Sequence, residues 1–206
     1  MSDIARRDRL LSGLRVYLVA DPAQLPGPLE DAVAAALEGG VTAVQLRAKS
    51  LTDRECVELA RRLKRLCDRT GALLFVNDRP DIALAVDCDG VHLGVDDLPL
   101  EDARRILGSD MLIGYSPELD EQAITARSAG ADYLGIGPLF GTASKADAGA
   151  AIGLDTLRRR VGMAEVPVIG IGGITPENTP AVMQAGAAGV AVVGAIIRAD
   201  DPRRAA

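Results

Sequence analysis

The amino-acid sequence predicts a (β/α)8 barrel, and three observations support this fold class. Short apolar runs and helical segments alternate eight times along the chain. The runs are apolar throughout, which is typical of parallel strands buried on both faces. Eight strand-helix units within 206 residues fit a closed barrel better than an open doubly wound sheet. We therefore expect one TIM-barrel domain over residues 1–206, with residues 1–14 as a helical lead-in.

In the first half of the chain, glycine and proline mark the ends of the elements. The first strand stops at Asp21-Pro22, and the first full helix ends at Gly39-Gly40, since glycine suits a helix C-terminus. Thr52 and Glu55 have the spacing of a capping box, in which both side chains bind backbone N–H groups of the first helical turn. The predicted elements are strand 16–20, helix 29–38, strand 43–49, a helix from 52 towards 70, strand 72–76 and helix 81–86.

The second half of the chain repeats the pattern. Thr175 directly precedes a proline, and it is the predicted N-cap of a helix that begins at Pro176. The predicted elements are strand 90–94, helix 100–107, strand 111–115, helix 118–129, strand 133–138, helix 154–160, strand 166–171, helix 176–184, strand 189–193 and a short terminal helix.

Polar side chains follow the predicted strands. In a (β/α)8 barrel the loops after the strands meet at one mouth, where active sites lie. Alternation along the second strand places Gln45, Arg47 and Lys49 on one face, opposite Val44 and Leu46. The other candidates at strand ends are Asn77, Asp78, Asp97, Ser116, Thr142, Ser144, Lys145, Gly173 and Gly194. We expect these residues to converge on one functional site.

Asp78 and Asp97 are candidate metal ligands. A carboxylate at a strand end often caps a helix, and that interpretation stays open for either residue alone. As a pair at one mouth they predict a Mg²⁺ site, because Mg²⁺ takes one or two carboxylates and completes its shell with phosphate oxygens and water. Oxygen ligands and a single histidine in the chain favour magnesium over zinc.

Two anion sites are indicated. Gly172-Gly173 and Gly194 follow the last two strands, where such barrels bind phosphate through backbone amides. Arg47, Lys49 and Lys145, together with the metal, supply more positive charge than a monophosphate demands. One opposed pair about 4 Å apart is worth roughly 4 kcal/mol at an effective dielectric near 20, before desolvation costs. The charge suits a diphosphate, so we expect a substitution in which diphosphate leaves and a phosphorylated partner takes its place.

The loop after the sixth strand carries Thr142, Ser144 and Lys145 among glycines. Glycine lets backbone N–H groups approach an oxyanion closely, and lysine adds a point charge suited to phosphate. Taken alone, the segment fits a flexible surface loop equally well, and the other strand ends favour the anion site. A Schiff-base role for Lys145 is disfavoured, because this setting lacks the desolvation that lowers the pKa of a catalytic lysine.

Composition and charge exclude several classes of partner. The net charge is -6 and the basic residues are dispersed among acidic ones, which argues against a nucleic-acid surface. No stretch approaches the roughly 20 apolar residues of a membrane span, and the N-terminus lacks the apolar core of a signal peptide. These features predict a cytoplasmic protein that binds small phosphorylated molecules and no membrane. They leave open whether it forms a homo-oligomer.

The cysteines and the histidine suggest packing. Cys56, Cys67 and Cys88 form no CxxC pair, so neither a zinc site nor a disulfide framework is indicated. We expect Cys56 and Cys67 to pack on a helix face. His92 has apolar neighbours, which favours a strand residue near the core over a catalytic role.

These residues also resemble a known family. The segments that carry the resemblance are Tyr17-Leu-Val-Ala-Asp21, Gln45-Leu-Arg-Ala-Lys49, Val76-Asn-Asp78, Gly90-Val-His-Leu-Gly94 with Asp97, Gly137-Pro-Leu-Phe-Gly-Thr-Ala-Ser-Lys145, Gly170-Ile-Gly-Gly-Ile174 and Ala191-Val-Val-Gly-Ala195. In this order, over nearly the whole chain, they resemble the thiamine phosphate synthases. The resemblance implies condensation of 4-amino-2-methylpyrimidine-5-methyl diphosphate with hydroxyethylthiazole phosphate by a dissociative, Mg²⁺-assisted substitution.

The resemblance also implies roles for individual residues. It implies catalytic roles for Arg47, Ser116 and Lys145, and magnesium ligation by Asp78 and Asp97. The implied contacts to the pyrimidine diphosphate are Gln45, Leu46, Arg47, Ala48, Lys49, Asn77, Ser116 and Lys145. The implied contacts to the thiazole phosphate are Thr142, Ala143, Ser144, Gly173, Val193 and Gly194.

The chain departs from the family pattern at several positions. Val95 replaces a frequent glutamine, Ser144 replaces a usual threonine, and Gly194 replaces a common serine. Gly194 keeps its backbone amide but lacks the hydroxyl, which puts the strength of phosphate binding there in doubt.

Two alternative functions are weighed against the synthase. A related thiazole tautomerase needs an acid/base group and carries a histidine just beyond the fifth strand, where this chain has Pro117-Glu118. A non-catalytic binding protein for thiamine precursors would not need Arg47, Asp78, Asp97 and Lys145. The residues present therefore favour the synthase.

Overall fold

The computed structural model describes residues 3–25, 27–141 and 149–206, with side chains from Arg6 onward. Its strands form one closed barrel, in which each strand pairs in parallel with the next and the last pairs with the first. The strands are β1 (Val16–Ala20), β2 (Ala43–Leu46), β3 (Leu73–Asn77), β4 (Gly90–Leu93), β5 (Leu112–Tyr115), β6 (Tyr133–Ile136), β7 (Val168–Ile171) and β8 (Gly189–Val192). The predicted (β/α)8 fold class is confirmed.

Helices alternate with the strands and surround the barrel. They are α1 (Asp3–Gly13), α2 (Leu29–Gly39), α3 (Asp53–Thr70), α4 (Pro80–Val86), α5 (Leu100–Leu107), α6 (Asp120–Ala129), α7 (Gly153–Met163), α8 (Thr179–Gln184), α9 (Gly194–Ile197) and α10 (Pro202–Ala205). Among the residues that the structure describes, none of these helices combines the length and the apolar character that crossing a bilayer requires.

The second and sixth strands end earlier than predicted. β2 stops at Leu46 instead of Lys49, and β6 stops at Ile136 instead of Pro138. Arg47 N still donates to the β1 backbone at 2.9 Å, after which the chain leaves the sheet. The alternating polar side chains after Leu46 therefore belong to the loop at the strand end.

The start predicted for the helix at Pro176, with Thr175 as its N-cap, is wrong. α8 begins at Thr179, one turn later. Asn178 Oδ1 accepts from Thr175 N at 2.9 Å, and Asn178 Nδ2 donates to Gly173 O at 2.8 Å. These two bonds close a separate turn ahead of the helix.

The capping box at the start of α3 is confirmed. Thr52 N donates to Glu55 Oε2 at 2.9 Å, and Glu55 N donates to Thr52 Oγ1 at 3.4 Å. Cys56 and Cys67 lie on the buried face of this helix, as predicted. The helix ends at Thr70, and the following residue, Gly71, has a φ of 75°, the left-handed conformation common after helices.

Alternation along the strands separates two apolar layers. Side chains that point outward pack against the helices, and those that point inward fill the barrel. Leu10 and Leu14, at the end of α1 and just after it, join the inner layer and close the barrel at the amino ends of the strands. Arg6 Nη1 contacts Asp132 Oδ1 at 2.6 Å and fixes α1 there. The opposite end of the barrel is left as the mouth.

Aromatic residues and glycines fill the interior together. The rings of Tyr17, Phe75 and Tyr133 contact one another, with centroids 5.4 to 6.0 Å apart. A Cβ atom on Gly90 would lie 2.8 Å from Phe75 Cε1 and would overlap the carbonyl oxygen of Leu112. Glycine at this position is therefore required by the space that the aromatic ring and the neighbouring strand occupy.

We predict that Gly90→Ala destabilises the fold while Gly162→Ala does not. Overpacking against backbone should cost about 3 kcal/mol, which lowers Tm by roughly 6 to 12 °C in a chain of this size. Gly162 is exposed in α7 with open space around it, so alanine there should stabilise by roughly 0.5 to 1 kcal/mol. Thermal unfolding of the two variants measures the difference, and equal Tm values would contradict the packing argument.

Candidate active site

The mouth of the barrel holds a cavity of about 380 Å³. The strand ends deliver many of the predicted site residues to its wall. Those that line it are Gln45, Arg47, Lys49, Asn77, Asp78, Asp97, Ser116 and Val193. Val95 also lines it, so the departure from the family pattern places an apolar side chain at the mouth.

Other predicted site residues lie elsewhere. Leu46 and Ala48 line a second, smaller cavity of about 270 Å³, and Leu46 is fully buried in the outer layer. Gly173 and Gly194 follow β7 and β8 and do not line the mouth cavity. The remaining predicted residues, which are Thr142, Ala143, Ser144 and Lys145, lie outside the described residues.

Arg47 is held at the mouth by a buried aspartate. Its Nη1 lies 2.6 Å from Asp21 Oδ2, and Asp21 is only 4% exposed. The other oxygen of Asp21 accepts from Ala23 N at 2.9 Å, which fixes the carboxylate against a 3-10 turn over Pro22–Gln24. The guanidinium is therefore positioned from behind before any ligand arrives.

Asp78 and Asp97 meet at the mouth. Asp78 has a φ of 62°, a left-handed conformation that few non-glycine residues adopt. Burial, followed by a hydrogen bond and repulsion from Asp97, raises the pKa of Asp78, and Lys49 opposes this rise with Nζ 3.2 Å from Asp78 Oδ2. Asp97 Oδ2 accepts from Gly94 N at 2.7 Å, which orients that carboxylate.

This pair of carboxylates fits a hard cation whose other ligands are water and substrate oxygens. Within the described residues no group of three or more histidine, cysteine or acidic side chains is placed to hold a metal. Mg²⁺ needs only one or two carboxylates when water and phosphate oxygens complete its shell. Two carboxylates close enough to raise the pKa of one are a place where a divalent cation would relieve repulsion.

His92 has polar partners that the sequence did not reveal. It lies on β4 with Nδ1 3.0 Å from Tyr133 Oη and Nε2 2.8 Å from Ser116 Oγ. Burial lowers the pKa of His92 to about 4, so the ring is neutral near pH 7. His92 is thus near the core, as predicted, and it also touches a predicted site residue. The inward alternation of His92 with Gly90 was the available signal.

Arg160 fixes the loop that carries Ser116. This buried side chain extends from α7 and donates to Pro117 O at 3.0 Å and to Glu118 O at 2.5 Å. Its Nε also donates to Asp120 Oδ1 at 3.0 Å. The position of Ser116 therefore depends on Arg160, a side chain 44 residues further along the chain (160 − 116), which sequence patterns do not reveal.

The ends of β7 and β8 bring glycines and an arginine together. Gly172 and Gly173 have φ angles of 94° and 66°, and a Cβ on Gly173 would lie 2.6 Å from Gly141 O. A Cβ on Gly194 would lie 2.6 Å from Arg198 Nε and would overlap the guanidinium. Arg198 therefore occupies space that a larger residue at position 194 would take.

Comparison with known proteins finds similarity over nearly the whole chain. A family model described as thiamine monophosphate synthase matches residues 16–196. The chain is 49% identical over 179 residues to a thiamine-phosphate synthase of Moorella thermoacetica, covering 87% of this chain and 85% of that protein. It is 44% identical over 203 residues to a thiamine-phosphate synthase of Methanosarcina barkeri, covering 98% and 91%. A solved thiamine phosphate pyrophosphorylase from Pyrococcus furiosus superposes with a TM-score of 0.87 at 42% identity, covering 95% of this chain and 93% of that one.

We predict that Asp78→Asn raises thermal stability at neutral pH when a chelator is present. The raised pKa of Asp78 means that the folded state binds its proton more tightly than the unfolded state, so wild-type stability gains as pH falls through that pKa. The amide removes the repulsion from Asp97 at every pH. The advantage of the variant should therefore be present at pH 7.5 and should shrink as the solution is acidified.

Asp53→Asn is the matched control. Arg79 lowers the pKa of this exposed carboxyl through a hydrogen bond, which is the opposite direction. Its amide variant should gain no stability at neutral pH. A loss of stability in Asp78→Asn at pH 7.5, measured by thermal unfolding, would contradict the electrostatic account of the pair.

Proposed function

The chain belongs to the thiamine monophosphate synthase family, and we propose that it condenses 4-amino-2-methylpyrimidine-5-methyl diphosphate with hydroxyethylthiazole phosphate. The products are thiamine phosphate and diphosphate, so the enzyme is a transferase of thiamine biosynthesis. The observation that supports this substrate pair is the mouth cavity, which the carboxylates of Asp78 and Asp97 line together with the cationic Arg47 and Lys49.

Residues that follow β2 and β5 would bind the diphosphate. Arg47 offers a planar fork of donors suited to phosphate oxygens, and Lys49 offers a mobile point charge. Lys49 pairs with Asp78 in this structure, so a cation on the carboxylates would release it towards the ligand. Ser116, which follows β5 and lines the same cavity, adds a neutral donor. This distribution of charge supports binding of a diphosphate at this side of the cavity.

Asp78 and Asp97 are the residues that would hold Mg²⁺. When bound there, the ion would offset the negative charge that develops on the leaving diphosphate. The two side chains enter from the ends of β3 and β4, and backbone bonds fix both: Asp78 N donates to His92 O at 2.9 Å, and Asp97 accepts from Gly94 N. The carboxylates are thus oriented by the fold itself.

The proposed reaction requires no protein nucleophile. The bond between the pyrimidine methylene carbon and the diphosphate oxygen breaks first, and the oxygen keeps the electron pair. The resulting cation is stabilised by the ring amine, and the thiazole nitrogen then forms the new C–N bond. The protein's tasks are to bind the leaving group, to exclude water and to hold the two reactants in contact.

Gln45 would orient the pyrimidine from the floor of the cavity. It is 5% exposed, and its Nε2 donates to Tyr17 Oη at 3.0 Å. One N–H of Nε2 is used in this bond, and Oε1 can accept a hydrogen bond from an amino group of the ligand. This arrangement suits a ring that carries an amino group.

The thiazole phosphate would bind at the ends of β7 and β8. Backbone amides of Gly173, Val193 and Gly194 are the proposed donors, together with the loop residues 142–144. Arg198 supplies a positive charge beside Gly194, where the family commonly has a serine hydroxyl. We infer that the guanidinium takes over part of the hydroxyl's role.

The direct test of the function is product formation. Purified protein is mixed with both substrates, with Mg²⁺ or with a chelator, and thiamine phosphate and diphosphate are quantified. We expect equal amounts of the two products, formed only with the metal. A chemical change in the thiazole phosphate alone, without consumption of the pyrimidine diphosphate, would contradict the synthase function and favour the tautomerase.

Arg47→Met should lower kcat more than it raises the KM for the thiazole phosphate. Loss of one donor that is already aimed at developing charge costs about 10²- to 10³-fold in kcat, while the thiazole KM should change by less than about threefold. Arg61→Met, on the exposed face of α3, is the control and should leave both constants unchanged. Equal effects of the two substitutions in steady-state kinetics would contradict the proposed role of Arg47.

Arg198→Met should weaken the thiazole phosphate specifically. A lost charge-assisted hydrogen bond corresponds to a rise in KM of about tenfold or more, with the KM for the pyrimidine diphosphate unchanged. Gly194→Ala should produce the same pattern, because its methyl group would displace the guanidinium. An unchanged thiazole KM in both variants would show that Arg198 does not contribute.

A further inference from the structure

A chain of hydrogen-bonded side chains crosses the barrel beneath the mouth and connects Gln45 to Ser116. Gln45 Nε2 lies 3.0 Å from Tyr17 Oη, which lies 2.8 Å from Tyr133 Oη. Tyr133 Oη lies 3.0 Å from His92 Nδ1, and His92 Nε2 lies 2.8 Å from Ser116 Oγ. The chain joins side chains from β1, β2, β4 and β6 to the residue that follows β5.

Two inward-facing glycines make room for this chain. A Cβ on Gly114 of β5 would overlap Tyr133 and His92 Nδ1. A Cβ on Gly135 of β6 would lie 3.2 Å from His92 Cε1 and 3.3 Å from Ser116 Oγ. A larger side chain at position 114 is therefore incompatible with the link between Tyr133 and His92.

An amide NH₂ only donates, so the oxygen of Tyr17 accepts from Gln45. Donation of the single Tyr17 proton to Tyr133 then gives this buried hydroxyl proton an acceptor, which burial requires. Tyr133 in turn donates to His92 Nδ1. A neutral imidazole that accepts at Nδ1 carries its proton on Nε2, which then donates to Ser116 Oγ.

Burial keeps the intermediate groups in the required protonation states. It raises the pKa of Tyr17 and of Tyr133 well above the usual tyrosine range, and it lowers the pKa of His92 to about 4. All three groups are therefore neutral near pH 7. Each tyrosine has one proton to donate, and the imidazole has one.

We propose that this chain turns the proton of the Ser116 hydroxyl towards the mouth, so that Ser116 donates it in a hydrogen bond to the leaving diphosphate. The Ser116 oxygen accepts from His92, and its own proton is left for a ligand. The identity of that ligand rests on the proposed function. Tyr17, Tyr133 and His92 are positioning residues in this scheme, since they act through Ser116.

The reverse direction has a distinct consequence. If Gln45 presented Oε1 to Tyr17, every bond in the chain would reverse, and His92 would carry its proton on Nδ1. Ser116 would then donate to His92 and could only accept from a ligand, which is unfavourable beside an anion. The tautomer of His92 therefore reports the direction of the whole chain.

The tautomer can be measured directly, because His92 is the only histidine in the sequence. Long-range ¹H–¹⁵N NMR correlation on the labelled full-length protein, without substrates, distinguishes protonation at Nε2 from protonation at Nδ1. We expect the Nε2–H tautomer at pH 7.5. A dominant Nδ1–H tautomer would overturn the proposal, and this result does not depend on whether the protein makes thiamine phosphate.

Tyr133→Phe should change the tautomer, because Nδ1 loses its donor and the Nδ1–H form gains population. Tyr17→Phe provides a second variant two links away, with a smaller change in the same direction. Tyr115→Phe is the matched control, since Tyr115 lies on β5 and is not one of the hydrogen-bonded side chains between Gln45 and Ser116. This substitution should leave the spectrum unchanged. An unchanged tautomer in both Tyr133→Phe and Tyr17→Phe would count against the proposal.

Kinetics separate a positioning role from a structural one. We expect Ser116→Ala to lower kcat by about 10²- to 10³-fold, and Tyr133→Phe by at least about tenfold, with the thiazole KM unchanged. In the Ser116→Ala background, Tyr133→Phe should have no further effect on kcat. Multiplicative losses in the double variant would show that Tyr133 acts independently of Ser116. Failure of the wild type to form product would reject the proposed function and leave the NMR result standing.

Discussion

Closure of the sheet between β1 and β8 is the constraint on which the rest of the structure depends. Closure fixes which residues face inward, and it brings eight strand ends to one rim. The interior must then be filled without voids, and large rings can enter only where a neighbouring strand offers glycine. Tyr133 therefore requires Gly114, and Phe75 requires Gly90. The same complementarity that packs the barrel also positions the hydrogen-bonded floor of the cavity.

The mouth carries features that lower stability. Asp78 adopts a left-handed backbone conformation, and its carboxyl meets that of Asp97 where burial disfavours charge. Such strain and repulsion persist only where the surrounding structure enforces them, and they concentrate at functional sites. Here the enforcement comes from the backbone bond between Asp78 N and His92 O and from the apolar layer between strands and helices. The rest of the barrel therefore holds the two carboxylates in an arrangement that is unfavourable by itself.

Sequence patterns predicted the fold because its rules are local. Apolar runs, glycine at helix ends and the Thr52 capping box act over a few residues. The bounds of the predicted strands and helices differ from the observed ones by at most three residues. The misplaced start of α8 has the same origin, since Thr175 fits an N-cap and only the side chain of Asn178 shows that a separate turn comes first. The candidate residues at the mouth could be named because a barrel gathers strand ends. The residues that position these side chains could not be predicted. Arg160 and Tyr133 are 44 and 17 positions away from Ser116 in the sequence, and only the folded structure brings them together.

The two ends of the proposed site solve the problem of binding phosphate in different ways. On the leaving-group side, Asp21 holds Arg47, Arg160 holds the Ser116 loop, and both supports are buried. Donors fixed in this way need no reorganisation when charge develops, which is what a bond-breaking step requires. At the ends of β7 and β8, an exposed Arg198 lies beside Gly194 in the space that a side chain there would fill. In the proposed reaction that end only has to retain a phosphate whose charge does not change, so a surface cation in place of a fixed hydroxyl is compatible with the proposed chemistry.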